Sequence, residues 1–198
     1  DRLTRIKSTI NQLQELNSKI VILSHLGRPK GIFNNHLSLK RIIVQLEEVL
    51  NAKINFINNC VGDEVKKKIN SFDQNSIILL ENCRFHKEEE ENNLEFAKKL
   101  SELADVYVND AFGCVHRSHA SVDAITKYMP SYVGNLLEEE LTNLYKITEE
   151  PESPSITILG GSKISTKISV LKKLSRKMDS IVICGGMANN FLAHDGFD

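Results

Sequence analysis

Three segments of the sequence place arginine and histidine directly after a short apolar run. The segments are residues 20–28, 77–86 and 106–121, and their cationic side chains are His25, Arg28, Arg84, His86, His116, Arg117 and His119. Ligands of an open α/β sheet bind beyond the carboxyl ends of its strands, so these loops would bring their charges to one edge. The guanidinium group binds carboxylate and phosphate through paired hydrogen bonds. The pattern therefore predicts a site for a small polyanion.

A second anion-binding pattern occurs in the last fifty residues. An apolar run at 156–159 ends in two glycines, and a run at 181–184 ends in two more; they are Gly160, Gly161, Gly185 and Gly186. Lys163 and Lys167 follow the first pair, four residues apart, near the start of a predicted helix. Backbone N–H groups at such a start bind anions, and glycine permits close approach. A helix cap with surface lysines explains this pattern equally well.

The best-known nucleotide motifs are missing from the chain. It contains neither a Walker sequence nor the G-x-G-x-x-G fingerprint of dinucleotide sites. A nicotinamide-dependent dehydrogenase would need that fingerprint and a ribose-binding acid, so the missing fingerprint argues against this function. An anion-binding module without catalysis stays open as an alternative function.

Composition narrows the class of protein. The 198 residues are 41% hydrophobic and 26% charged, and the net charge is −1. These values are ordinary for a soluble globular protein and do not favour binding to nucleic acid or to an anionic membrane. No apolar run approaches the roughly 20 residues of a membrane span. The four cysteines are scattered, which favours reduced, mostly buried thiols in a cytoplasmic protein.

Apolar runs of four or five residues alternate with helical patterns along the whole chain. This order predicts an α/β fold with a doubly wound, mostly parallel, Rossmann-like sheet. Pro151 and Pro154, among polar residues, mark the best domain boundary. We expect an N-terminal lobe over residues 1–134, a connecting helix over 135–150, and the start of a second α/β lobe over 151–198.

Local patterns favour structural roles for several charged residues. A helix is predicted over residues 5–17 with Thr4 as its N-cap, and Arg5 then looks like a solvated surface residue. The four glutamates at 88–91 look like a solvated run. His116 and His119 have the spacing of metal ligands on a helix, but no cysteine or third histidine stands near them, which argues against zinc.

Several motifs together resemble the phosphoglycerate kinase family. They are Ser24-His25-Leu26-Gly27-Arg28-Pro29, Leu80-Glu81-Asn82-Cys83-Arg84-Phe85-His86, Asn109-Asp110-Ala111-Phe112-Gly113, His116-Arg117, Gly160-Gly161-Ser162-Lys163 with Lys167, and Gly185-Gly186-Met187-Ala188-Asn189. The likeness covers nearly the whole chain in order. It implies a monomeric two-lobed kinase that transfers a phosphoryl group between 1,3-bisphosphoglycerate and ADP, giving 3-phosphoglycerate and ATP. Mg²⁺ would accompany the nucleotide.

The resemblance also implies roles for individual residues. Those implied to bind the triose are Arg5, His25, Leu26, Gly27, Arg28, Arg84, His116 and Arg117. Those implied to bind the nucleotide are Gly160, Gly161, Lys163, Lys167, Gly185 and Gly186. Arg5, Lys163 and Lys167 would act on the transferring phosphate, and this overrides the surface interpretation of Arg5.

The resemblance further implies that family parts lie outside the 198 residues. The family's first strand would precede Asp1, and most of the nucleotide lobe, with the protein ligand of Mg²⁺, would follow Asp198. We therefore expect these residues to be inactive by themselves.

Overall fold

A computed structural model describes residues 2–197. Asp1 and Asp198, the outer ends of the two predicted lobes, lie outside the described residues. The strands are β1 (Ile20–Ile22), β2 (Ile54–Ile57), β3 (Ile77–Leu80), β4 (Tyr107–Asn109), β5 (Ser131–Val133), β6 (Ile156–Gly160) and β7 (Ser180–Cys184). The α-helices are α1 (Arg2–Arg5), α2 (Lys7–Glu15), α3 (Ile43–Leu50), α4 (Asp63–Ser71), α5 (Lys87–Glu90), α6 (Leu94–Ser101), α7 (Asn135–Glu149), α8 (Ile168–Leu174) and α9 (Gly186–His194).

The chain forms two compact units, Asp1–Glu139 and Glu140–Asp198. Unit 1 contains a three-stranded sheet in the order β1-β3-β2 and a two-stranded sheet, β4-β5. Unit 2 contains the pair β6-β7. Every pairing among these strands is parallel. This confirms the predicted α/β class with parallel sheets.

Strand β3 is the centre of unit 1, because helices cover both of its faces. All four of its residues are at most 1% exposed. Ile78 and Leu80 pack in one apolar cluster with α4 and α6. Ile77 and Leu79 pack in another with α2 and α3. A strand buried on both faces carries a continuous apolar sequence, and this is why the run at 77–80 predicted it correctly.

Two local predictions are wrong. The first helix begins before Thr4: α1 contains Thr4 and ends at Arg5, and Ile6 stands at the N-cap of α2. The sequence at residues 121–128 also predicts a helix, but the structure has a 3₁₀ turn at Ala124–Lys127, followed by strand β5, which no sequence pattern indicated. Tyr132 and Val133 have high strand propensity, which favours β5.

Helix α7 starts on unit 1 through two polar contacts. Its Asn135 N–H donates to Thr9 Oγ1 at 2.9 Å, and its Leu137 N–H donates to Asp110 Oδ1 at 3.1 Å. A Cβ on Gly134 would lie 2.5 Å from that carboxylate oxygen, so glycine is required there. Within residues 2–197, no helix has the length and hydrophobicity to cross a membrane.

The burial of β3 on both faces can be tested by truncating adjacent residues. Ile78→Ala and Leu79→Ala remove side chains from opposite clusters, and each should lower the free energy of unfolding by about 2–5 kcal/mol. Val44→Ala removes a side chain that is 65% exposed and should change it by less than about 0.5 kcal/mol. Denaturant titration measures all three. A large effect from only one of the two β3 variants would mean that one face of the strand is open to solvent.

Candidate functional site

The turn after β3 fastens the loop that follows β1. The side-chain amide of Asn82 donates to the carbonyl oxygens of Leu26, at 2.8 Å, and Leu37, at 2.9 Å. Its Oδ1 accepts from the backbone N–H of Arg84 at 3.0 Å. Asn82 is 1% exposed, so its side chain depends on these bonds for its hydrogen-bonding partners. One buried side chain thereby fixes the path of the 24–28 loop and the start of the segment that carries Arg84.

Glu81 fastens a second segment to the same turn. Its carboxylate accepts from Ser38 Oγ at 2.6 Å and from the backbone N–H groups of Leu39 and Asn82, both at 2.8 Å. It is 5% exposed. Hydrogen bonds to a buried carboxylate are strong, and losing them leaves buried donors unsatisfied. Glu81 therefore fixes the segment at Ser38 and Leu39, while Asn82 fixes the 24–28 loop.

Arg84 is a buried cation whose hydrogen-bond donors are only partly satisfied within residues 2–197. The residue is 4% exposed, and its Nη1 donates to the carbonyl oxygen of Gly27 at 3.0 Å. Its Nε lies 3.6 Å from Oε1 of Glu90, which is beyond hydrogen-bonding distance. Within residues 2–197, Nε and Nη2 make no hydrogen bond. A buried donor without an acceptor costs about 1–3 kcal/mol, so this guanidinium is suited to an anionic ligand.

His25 lies among further cations. Burial is the main reason that its pKa falls from the ordinary 6.5 to about 4, and nearby positive charges act in the same direction. These charges belong to Arg84, His119 and Arg117. Loops from β1, β3 and β4 thus bring four basic side chains close enough to interact. Repulsion among them disfavours the protonated imidazole until an anion compensates.

Buried Glu89 holds the loop that carries Arg117 and His119. Its carboxylate accepts from Ser121 Oγ at 2.6 Å and from the Ser121 N–H at 2.9 Å. Its Oε1 also lies 3.7 Å from Nδ1 of His119. Burial still lowers the pKa of His119, with help from the charge of Arg84. The prediction that the glutamates at 88–91 are a solvated run is therefore wrong for Glu89, which is 1% exposed.

Of the other predicted triose residues, four lie on these loops, whereas Arg5 lies on α1. Leu26 and Gly27 contribute backbone carbonyls to Asn82 and Arg84 rather than side chains. Gly27 has a φ of +67°, and a Cβ there would lie 2.7 Å from Leu37 Cδ2. Arg28 and His116 are exposed neighbours of His25 and Arg117. Arg5 is exposed at the end of α1.

Sequence reasoning missed the residues that hold the site together. They are Glu81, Asn82 and Glu89. The first two directly follow a fully apolar strand, where polar side chains have to find buried partners. His119 is among the cationic side chains predicted for the anion site, but the sequence does not indicate its contact with Glu89. Nothing in the run at 88–91 marks Glu89 as the buried member.

In unit 2, the two glycine pairs lie against each other. Met187 N–H donates to the carbonyl oxygen of Gly161 at 2.8 Å. A Cβ on Gly185 would lie 3.5 Å from backbone atoms of Gly161, and one on Gly160 would lie 2.9 Å from Cys184 Sγ. A Cβ on Gly186 would likewise lie 3.5 Å from Ser162 Cα. The turns after β6 and β7 thus form one exposed backbone surface.

Lys163 and Lys167 lie beside this surface but not on a shared helical face. Lys163 precedes a 3₁₀ turn at Ile164–Thr166, and α8 begins only at Ile168, after Lys167. The helical spacing of Ile164, Ile168, Leu171 and Leu174 predicts a single helix from Ile164 onward, and this prediction is wrong. Both lysines are exposed.

The described residues do not form a metal site. In the part of the chain from residue 2 to 197, no three His, Cys, Asp or Glu side chains are grouped so that they could hold a metal ion. A Mg²⁺ ion therefore finds no ready set of protein ligands among them.

Comparison with known proteins identifies the family. The model of the phosphoglycerate kinase family matches residues 1–198. A phosphoglycerate kinase from a Wolbachia of Drosophila simulans (strain wRi) is 50% identical over 97% of this chain and 48% of its own length. One from Moorella thermoacetica is 44% identical over 98% of this chain and 50% of its own length.

Solved structures that resemble this chain belong to the same family. The phosphoglycerate kinase of Coxiella burnetii matches with a TM-score of 0.86 and 39% identity, over 100% of this chain and 49% of the other. That of Pyrococcus horikoshii OT3 matches with a TM-score of 0.83 and 30% identity, over 100% of this chain and 50% of the other. The chain spans about half the length of the curated relatives it matches. It belongs to the phosphoglycerate kinase family.

Proposed function

We propose that the chain carries the triose-binding half and part of the nucleotide-binding half of a phosphoglycerate kinase. The reaction is reversible transfer of the acyl phosphate of 1,3-bisphosphoglycerate to ADP, giving 3-phosphoglycerate and ATP. The protein need supply no nucleophile, because phosphoryl transfer runs on positioning and stabilisation of charge. Residues 1–134 would bind the triose, 135–150 would connect, and 151–198 would begin the nucleotide lobe.

One observation carries the triose part of the proposal. Arg84 is buried, yet two of its nitrogens make no hydrogen bond within residues 2–197. His25 and Arg117 add basic groups beside it. A small ligand with phosphate and carboxylate oxygens would satisfy the free donors and offset the mutual repulsion of the cations. Arg28, His116 and Arg5 would extend the contact from the exposed side.

The nucleotide part rests on the glycine surface of unit 2. Gly160, Gly161, Gly185 and Gly186 leave backbone accessible where side chains would otherwise project. Lys163 and Lys167 stand exposed beside it, as free charges for the phosphates of ADP or ATP. Mg²⁺ would bind together with those phosphates, and we assign it no protein ligand among the described residues.

Titration with 3-phosphoglycerate tests the triose site. We expect the 198-residue chain to bind it, and Arg117→Ala to weaken binding about 10- to 100-fold, because a charge-assisted hydrogen bond contributes about 1.5–3 kcal/mol. Arg176→Ala removes an exposed arginine of unit 2 and is the matched control. Calorimetry measures both. Equal weakening by the two variants would show a diffuse charge effect, and a folded chain that binds no 3-phosphoglycerate would refute the triose site.

The pKa of His25 gives a second test, through pH. Its pKa of about 4 lies below the ordinary 6.5, so between these values the unfolded chain binds more protons than the folded one. The free energy of unfolding should therefore fall as pH drops from 6.5 toward 4. NMR titration should place the pKa of His25 near 4, and Arg117→Gln should raise it by removing a repulsive charge.

His25→Asn is the control for this pH dependence. It removes the titrating group, so the loss of stability below pH 6.5 should become shallower. A His25 that titrates near 6.5 and ignores Arg117→Gln would mean that the three loops do not converge.

A further inference from the structure

Glu90 places a carboxylate within the cluster of basic residues proposed to bind the triose. Its Oε1 lies 3.6 Å from Nε of Arg84, beyond hydrogen-bonding distance. The charge of Glu90 also acts on two histidines. Burial is the main cause that lowers the pKa of both His25 and His119, and Glu90 opposes that decrease. One acidic group therefore interacts with basic groups from the loops after β1, β3 and β4.

The neighbouring Glu89 has a different environment. Both of its carboxylate oxygens accept hydrogen bonds from Ser121, and the residue is 1% exposed. The side chain of Glu90 is 35% exposed, although it contacts Arg84, whose side chain is 4% exposed. Glu89 is therefore fixed by the loop that it holds. Glu90 contacts solvent as well as a buried cation, and exposed side chains change rotamer rapidly, so it is free to turn away when a ligand binds.

The distance between Glu90 and Arg84 allows the carboxylate to offset charge without occupying hydrogen-bond donors. Attraction between opposite charges falls only with the inverse of their separation, so it is still effective at 3.6 Å. A hydrogen bond requires a closer approach, and Nε and Nη2 of Arg84 make none within residues 2–197. Glu90 therefore reduces the repulsion within the empty site and leaves these donors available to a ligand.

The same carboxylate opposes an anionic ligand. Its Oε1 lies beside Nε, one of the two Arg84 donors that a phosphate or carboxylate would use. Like charges at such distances repel, so the triose binds less tightly than the cations alone would bind it. Weaker binding favours release, and a reversible transfer requires that the triose leave the site in either direction.

We propose that Glu90 is the internal counter-ion of the triose site and limits its affinity. In the empty site its carboxylate offsets the positive charge of the surrounding arginine and histidines, and in the occupied site it opposes the negative charge of the triose. This inference rests on the triose site proposed above and adds a residue whose removal strengthens binding. A residue that only held Arg84 in place would weaken binding when removed, so the two roles predict changes of opposite sign.

Calorimetric titration of 3-phosphoglycerate into Glu90→Gln tests this role in the 198-residue chain. Glutamine keeps the size of the side chain and removes its charge, so the dissociation constant should fall at least about fivefold. The position is partly exposed, and the chain should remain folded. Glu90→Asp keeps the charge and should bind less tightly than Glu90→Gln. Weaker or unchanged binding in Glu90→Gln would overturn the proposal.

Glu91→Gln is the matched control for this titration. It removes the same charge from the adjacent residue, which is exposed. Charges in solvent are screened, so the dissociation constant should change less than about twofold. A gain in affinity equal to that of Glu90→Gln would indicate an effect of net charge alone and would overturn the specific role of Glu90.

NMR titration of the ligand-free chain separates this role from the triose proposal. The positive charges that act on His25 belong to Arg84, His119 and Arg117. Glu90→Gln removes the carboxylate that opposes them, so the pKa values of His25 and His119 should fall further, whereas Glu91→Gln should not change them. A fall at neither histidine would overturn the counter-ion role. A fall in a chain that binds no 3-phosphoglycerate would support that role and refute the triose site instead.

Discussion

The buried polar turn at the carboxyl end of β3 is the constraint on which unit 1 depends. Strand β3 is covered on both faces, and the turn that follows it contains three polar residues that are also buried. They are Glu81, Asn82 and Arg84, all at most 5% exposed. Buried polar groups need partners, and the partners of Glu81 and Asn82 are loop backbones and a serine. The hydrogen bonds that satisfy these groups therefore hold two loops in place.

Arg84 is the one member of this turn that the protein leaves incompletely satisfied. Its Nη1 binds Gly27, while its Nε and Nη2 stay without a hydrogen bond within residues 2–197. An arginine kept in this state is costly to the folded chain, and a bound anion would offset the cost. In the proposed triose site, stability and ligand recognition thus oppose each other at this residue, as is common at functional sites.

The sequence predicted the strands that are buried on both faces and the loops that follow them. Continuous apolar runs such as 77–80 have few alternative structures, and arginine beside histidine after such a run indicates an anion site. Glu89 and Asn82 could not be found in this way, because their burial depends on contacts with residues 32 and 56 positions away. Strand β5 was missed because it is short and its three residues are exposed. The role proposed for Arg5 comes from the family resemblance, whereas local patterns indicate a surface residue and Arg5 is exposed in the structure.

We infer that the turn after β3 positions the cations, rather than merely stabilising the fold. Titration of 3-phosphoglycerate into Asn82→Ala, with exposed Asn11→Ala as the control, tests it most directly. Asn82→Ala keeps His25, Arg84 and Arg117 but releases Leu26 and Leu37. We expect the affinity of Asn82→Ala to be at least about tenfold lower, with a chain that remains folded, and the affinity of Asn11→Ala to be unchanged. Wild-type affinity in a folded Asn82→Ala chain would contradict it.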